Sequence, residues 1–79
     1  MTNDDKLRAA FSTALSIPLE AVTDTLSYDG ITEWDSVAHM ALIAELENVF
    51  NVMLDTDDVI DLSSFAQSRN ILRKYAVDI

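Results

Sequence analysis

Ser36 is the hydroxyl residue with the most distinctive surroundings in this 79-residue sequence. It follows Asp35 at the start of an apolar and acidic run that continues to Phe50. A serine nucleophile needs a nearby base, and His39 is the single histidine of the chain. On a helix His39 can approach Ser36, but the apolar periodicity places it on the core side. We therefore expect His39 to be a packing residue and Ser36 to be a site that another protein modifies.

Other common chemical motifs are missing. With Gly30 as the single glycine and no cysteine, the chain lacks a Gly-x-Ser-x-Gly elbow, a phosphate-binding loop and a thiol nucleophile. The acidic cluster 55–58 is similar to the start of a calcium loop, but Val59, Ile60 and Ala66 occupy positions that need ligands or glycine. We expect no dedicated metal site, no catalytic residue and no catalytic activity. Loose association of divalent ions with the acidic surface stays open.

The charge of −9 is unevenly distributed. The basic residues lie near the two ends, as Lys6, Arg8, Arg69, Arg73 and Lys74. The segment from Ala9 to Ser68 instead carries 11 carboxylates: Glu20, Asp24, Asp29, Glu33, Asp35, Glu45, Glu47, Asp55, Asp57, Asp58 and Asp61. This pattern argues against nucleic acid and anionic membrane surfaces as partners. It favours basic protein partners, whose long-range electrostatic attraction to the chain would be weakened by salt. The alternative is that the acidic residues form a general solubilising surface.

The length predicts a single domain, residues 1–79, with little room for a buried catalytic cavity. An apolar fraction of 49% is typical of a globular chain. The first residues lack the apolar part of a signal peptide, and no apolar run approaches the roughly 18 residues of a membrane span. We expect a cytoplasmic protein without membrane insertion.

The apolar spacing predicts an all-α fold. The first helix is expected to be capped by Asn3 and ended by Pro18, with Leu7, Ala10, Phe11, Ala14 and Leu15 on its apolar side. A long loop, 17–35, follows and is expected to be functional. Its apolar residues are expected to attach it to the core, and they are Leu19, Val22, Leu26, Tyr28 and Ile31.

Three further helices are predicted after this loop. The second runs from Ser36 to Phe50, with Asp35 as its N-cap and Asn51 at its end. Residues 56–61 can form a short third helix. A capping box, 64–67, opens the last one. The expected architecture is a bundle of three main helices plus a short third helix, with the long loop between helices 1 and 2.

The second helix has two apolar sides. The core side is formed by Leu42, Ile43, Leu46, Val49 and Phe50, with His39 among them. The opposite side is formed by Val37, Met40, Ala41 and Ala44, flanked by Glu45, Glu47 and Asn48. Either the long loop covers this second side, or it is a docking surface with an adaptable methionine. We favour the docking surface.

The segment Asp35-Ser36-Val37, at the head of an acidic helix after a long loop, resembles the acyl carrier protein family over essentially the whole chain. The resemblance implies that Ser36 carries 4′-phosphopantetheine as a phosphodiester and that the thiol of this arm holds an acyl group as a thioester. It further implies that Asp35 contacts the transferase or its metal. The partner-binding residues that it implies are Val37, Met40, Ala44, Glu45, Glu47, Asp57 and Asp58.

Several residues depart from the common fatty-acid form of that family. Val37 replaces the usual leucine, Glu33-Trp34 stand where primary fatty-acid carriers have small residues, and His39-Met40 are also unusual. The glycine-rich turn of peptidyl carriers is absent as well. We expect a specialised carrier, in which Trp34 is either a packing anchor for the loop or a specificity contact beside the arm.

The resemblance implies a monomeric carrier for lipid (including fatty-acid), polyketide or surface-glycolipid biosynthesis. Its implied partners are a phosphopantetheinyl transferase (holo-carrier synthase) and acyl-processing enzymes such as acyltransferases and ketosynthases. A stand-alone aminoacyl or peptidyl carrier is one alternative, and an unmodified acidic helical adaptor is another.

Overall fold

The structure is a computed structural model that describes residues 2–79. Within that range the chain forms four α-helices: α1 (Asn3–Leu15), α2 (Ser36–Phe50), α3 (Thr56–Asp61) and α4 (Phe65–Lys74). A single 3₁₀ turn, Leu19–Ala21, lies in the long segment between α1 and α2. The predicted all-α architecture, with three main helices, a short third helix and a long first loop, is confirmed.

The start of α1 differs from the prediction. Thr2 is the N-cap: its hydroxyl accepts the N–H of Asp5 at 3.1 Å, and the Asp5 carboxylate accepts the N–H of Thr2 at 3.3 Å. Asn3, predicted as the cap, is the first helical residue. Its side-chain amide donates instead to the carbonyl of Asp78 at 2.8 Å, a contact between the two ends of the described chain.

The other helix boundaries follow local rules. Ser16 and Asn51 adopt left-handed backbone conformations, with φ of 55° and 54°, and end α1 and α2. The Ser64 hydroxyl caps α4 by accepting the N–H of Gln67 at 3.0 Å. The capping box is incomplete, because the Gln67 amide donates to Asp61 at 2.8 Å rather than back to the cap.

Three aromatic rings join the helices at the centre of the core. Phe11 of α1 contacts Trp34 edge-on, with ring centroids 5.4 Å apart, and contacts Phe65 of α4 in the same way at 5.0 Å. All three side chains have 0% exposure. Trp34 therefore anchors the end of the long loop in the core, which is the first of the two roles considered for it.

The long loop is attached to the core at fewer points than predicted. Val22 and Leu26 are buried and Ile31 packs against the core, but Leu19 and Tyr28 are exposed. Leu19 belongs to the 3₁₀ turn, whose residues face solvent. The prediction was wrong for Leu19, because an irregular segment gives no periodicity from which to assign an inner side. The Tyr28 ring, although 40% of the residue is exposed, contacts the buried Trp34 edge-on, with centroids 6.1 Å apart.

Backbone hydrogen bonds hold the loop against the connection between α3 and α4. The N–H of Tyr28 donates to the carbonyl of Ser63 at 2.8 Å, and the N–H of Phe65 donates to the carbonyl of Leu26 at 2.9 Å. These two bonds form an isolated antiparallel bridge rather than a strand pair. The loop therefore passes close to the head of α2, where Ser36 lies.

The second apolar side of α2 is not covered by the loop. Val37 is 80% exposed and Met40 is 59% exposed, and Ala41 and Ala44 are exposed as well. None of the helices within residues 2–79 has the length and apolar character needed to cross a membrane.

Candidate functional site

Ser36 is the first residue of α2, and its side chain is exposed. The preceding Asp35 caps the helix, with its carboxylate accepting the N–H of Ala38 at 2.9 Å. The first N–H groups of a helix lack acceptors within it and carry partial positive charge, so they favour an anion. A phosphate bound to the Ser36 hydroxyl would lie in this favourable field.

A second hydroxyl group lies within hydrogen-bond distance of the Ser36 hydroxyl. Its Oγ lies 3.1 Å from the phenol oxygen of Tyr28, and either group can be the donor. Tyr28 comes from the long loop, eight residues earlier. The structure therefore brings a second hydroxyl to the site that the sequence did not indicate.

His39 is directed away from Ser36 by two hydrogen bonds. The indole N–H of Trp34 donates to His39 Nδ1 at 3.0 Å, and His39 Nε2 lies 2.8 Å from the carbonyl oxygen of Val59. Because Nδ1 is an acceptor, the neutral ring carries its proton on Nε2 and donates it to Val59. Both nitrogens are thus engaged, and His39 is not placed to take a proton from Ser36.

This pair of bonds also connects three elements around the site. Trp34 ends the long loop, His39 belongs to α2, and Val59 belongs to the short helix α3. The indole and imidazole rings are nearly parallel, with an interplanar angle of 20° and centroids 6.1 Å apart. The position of α3 beside α2 therefore depends partly on one imidazole ring.

A cavity of about 350 Å³ opens beside Ser36. Its volume lies at the lower end of the range of roughly 300–1,000 Å³ for small-molecule sites. Ile60, on its α3 side, is 76% exposed, so the cavity communicates with solvent. The lining is mainly apolar and consists of Tyr28, Ser36, His39, Met40, Val59, Ile60, Leu62 and Ser63.

Asp58, which the resemblance placed among the docking residues, has a structural role instead. It is 3% exposed, and its two carboxylate oxygens are bound by the Lys74 ammonium and the Tyr75 hydroxyl. These two hydrogen bonds, the one from Lys74 first, lower the pKa of Asp58. The tyrosine oxygen also accepts the N–H of Asp55 at 3.0 Å, so the group fastens α3 to the end of α4.

The remaining acidic residues expected to dock partners do not form one cluster. Asp57 is exposed, whereas Glu45 and Glu47 are half-buried. Glu45 lies at a smaller cavity of about 210 Å³ between α1 and α2, which is also lined by Lys6. Glu47 accepts the N–H of Leu54 at 2.9 Å and so supports the turn after α2.

The apolar residues expected to dock partners do lie together. Val37, Met40 and Ala44 share the exposed side of α2, and Met40 extends to the cavity beside Ser36. The structure adds Ile60 to this group from across the cavity. An isoleucine among the acidic residues of this short helix is the sequence signal that could have indicated it.

Some of the basic side chains form ion pairs within the chain. Arg69 contacts Asp4 at 2.7 Å and Asp24 at 2.8 Å, and these contacts, led by Asp4, raise its pKa. Within residues 2–79 no three histidine or carboxylate side chains are close enough together to hold a metal ion.

Comparison with known proteins identifies the family. Searches among curated proteins and among solved structures gave no match. The chain does match the sequence model of a family described as the phosphopantetheine attachment site, over residues 5–67. The matched segment includes most of α1, the long loop, α2, α3 and the head of α4. Domains of this family carry a covalently attached 4′-phosphopantetheine and work with a phosphopantetheinyl transferase and biosynthetic enzymes. An exposed serine at a helix N-terminus beside an apolar cavity fits such a group, and the chain belongs to the phosphopantetheine-attachment family of acyl-carrier-type proteins.

Proposed function

We propose that this chain is a monomeric acyl carrier protein with its 4′-phosphopantetheine arm on Ser36. The observation that carries the proposal is the exposed hydroxyl of Ser36 at the first position of α2, next to an apolar cavity. Two other serines lie elsewhere: Ser12 donates to the carbonyl of Ile17 from within α1, and Ser68 is buried. Ser12 lies far from a helix N-terminus, and Ser68, in the first turn of α4, has no exposed hydroxyl to modify.

Attachment requires little from the chain itself. Ser36 Oγ forms a bond to the phosphorus of coenzyme A that carries the pantetheine group. The pyrophosphate bond of coenzyme A breaks in the same step, and 3′,5′-ADP leaves with the electron pair. The transferase takes the Ser36 proton, since His39 has both nitrogens engaged. The chain contributes exposure of the hydroxyl and the partial positive charge of the α2 N-terminus. Asp35 keeps that N-terminus in place and is a candidate contact for the transferase or its metal.

The arm supplies a terminal thiol that can hold cargo as a thioester. The cavity beside Ser36 offers the chain's own contribution, an apolar surface formed chiefly by Met40, Val59 and Ile60. This lining supports an acyl cargo over an aminoacyl cargo, because an ammonium group would lose its hydration there. The volume of about 350 Å³ favours small or medium acyl groups.

The exposed side of α2 is the proposed docking surface for partner enzymes. Val37, Met40 and Ala44 form its apolar part, and Glu45, Glu47 and Asp57 provide negative charge around it. We propose a phosphopantetheinyl transferase, acyltransferases and ketosynthases as partners, in a specialised lipid, polyketide or surface-glycolipid pathway. The departures from the fatty-acid pattern at Glu33, Trp34 and His39 support specialisation.

Intact-mass measurement tests the attachment site. After incubation with coenzyme A and a phosphopantetheinyl transferase, the wild-type chain should gain one arm, and Ser36→Ala should gain none. Ser63→Ala, which removes a different hydroxyl from the same cavity, should still gain one. An arm on the Ser36→Ala variant, at Ser12 or Ser27 for example, would disprove the assignment. The mass of the species loaded in the native host would then separate acyl from aminoacyl cargo.

A further inference from the structure

The ring of Tyr28 is held beside Ser36 by contacts that do not involve its hydroxyl. Its backbone N–H donates to the carbonyl of Ser63 at 2.8 Å. Its ring contacts His39 edge-on, with centroids 5.2 Å apart, and Trp34 in the same way at 6.1 Å. The imidazole and indole are themselves joined by a hydrogen bond. The phenol oxygen is therefore kept in place at the mouth of the cavity, where 40% of the residue is exposed.

Attachment of a phosphodiester to Ser36 changes which of the two hydroxyls can donate. In the unmodified chain either Tyr28 or Ser36 can donate across the 3.1 Å separation. An esterified Oγ has no proton, so Tyr28 is the donor that remains. The phosphodiester adds anionic oxygens on the phosphorus next to Oγ, and an anionic acceptor makes a stronger hydrogen bond than a neutral hydroxyl does.

We propose that Tyr28 is a positioning residue that donates a hydrogen bond to the phosphodiester on Ser36 and holds the root of the arm at the cavity mouth. This inference rests on the proposed attachment at Ser36. Without the bond, the arm would rotate freely about the serine side chain. With it, the first part of the arm starts next to Met40 and Ile60, which line the cavity.

A thermodynamic cycle tests the proposal. Unfolding equilibrium constants are measured by urea denaturation for the wild type and for Tyr28→Phe, each with and without the arm. The phenylalanine keeps the ring contacts and removes the hydroxyl alone. Since a charged acceptor strengthens the bond about twofold, Tyr28→Phe should raise the unfolding constant about fivefold more in the modified protein than in the unmodified one.

Tyr75→Phe is the matched control, because its hydroxyl contacts Asp55 and Asp58 rather than Ser36. It should destabilise the modified and unmodified proteins by the same factor. A Tyr28→Phe effect that is equal in both forms would overturn the proposal.

Phosphorus NMR of the modified protein gives a readout that does not depend on stability. The phosphodiester resonance should move in Tyr28→Phe and stay in place in Tyr75→Phe. In the modified wild type, nuclear Overhauser contacts should join the Tyr28 ring protons to the methylene next to the phosphate. This measurement needs only the wild-type protein, so it remains available if Tyr28→Phe does not fold. Absence of these contacts, with the arm mapped to Ser36 by peptide mass, would refute the role of Tyr28 alone. An arm mapped to another residue would refute the attachment site as well.

Discussion

The link from Trp34 through His39 to Val59 predicts a large loss of stability on a single substitution. His39→Ala leaves the fully buried indole N–H of Trp34 without an acceptor, which costs about 1–3 kcal/mol. It also removes the hydrogen bond to the Val59 carbonyl, worth about 0.5–1.5 kcal/mol. The expected loss is about 1.5–4.5 kcal/mol, against a net stability of roughly 3–5 kcal/mol for a core of this size. The variant should therefore be only marginally stable near room temperature, with a measurable unfolded fraction.

Urea denaturation followed by circular dichroism at the helical band measures this loss. The same substitution in a Trp34→Phe background is the control, because phenylalanine has no N–H to be left unpaired. There His39→Ala should cost about 1–3 kcal/mol less than in the wild-type background. A loss below about 1 kcal/mol in the wild type, or equal losses in both backgrounds, would refute the assignment of a structural role to this hydrogen bond.

Three further predictions concern docking, pH and cargo. Glu45→Lys should slow association with the transferase severalfold in stopped-flow experiments at low salt, and the difference from the wild type should vanish at high salt. Association rates that do not depend on salt would refute electrostatic docking. Because Lys74 and Tyr75 lower the pKa of Asp58 in the folded chain, the stability that this group contributes is present above its usual value of 3.8 and is lost as the pH falls below it. Between pH 5 and pH 2 the free energy of unfolding should decline less steeply with falling pH in Asp58→Asn than in the wild type. The same slope in both proteins would contradict this prediction. The free energy of unfolding should rise from the unloaded to the acetyl and octanoyl forms by up to about 0.8 kcal/mol per buried CH₂, and level off when the cavity is full. The melting temperature should rise in the same order, and equal melting temperatures would place the cargo outside the cavity.

The helices were predictable because their signals are local. The apolar period of α2 predicts its buried side, and Asp35 and Asn51 mark its ends with side-chain and backbone preferences that act within one turn. The exposed serine at the head of α2 follows from the same signals. Thr2 and Asn3 show the limit of this approach, since both residue types cap helices and the reciprocal hydrogen bonds with Asp5 form at Thr2.

The rest of the site depends on contacts between residues far apart in sequence. Tyr28 lies in an irregular loop, and backbone bonds to the α3–α4 connection bring its hydroxyl to Ser36. In the sequence Asp58 looks like the surface acids around it, but Lys74 and Tyr75 at the end of α4 bind its carboxylate. Neither position has a periodic or compositional signal, so neither role follows from the pattern of the sequence alone.

The chain contains a single tryptophan, and Trp34 is one hydrogen bond from a residue that lines the cavity. Its fluorescence is therefore an intrinsic probe of the junction between the loop, α2 and α3. An indole emits at longer wavelength when water reaches it, so movement of α3 away from His39 should produce a red shift in unlabelled protein. Whether arm attachment, cargo loading and enzyme docking move this junction can then be followed in real time without a dye.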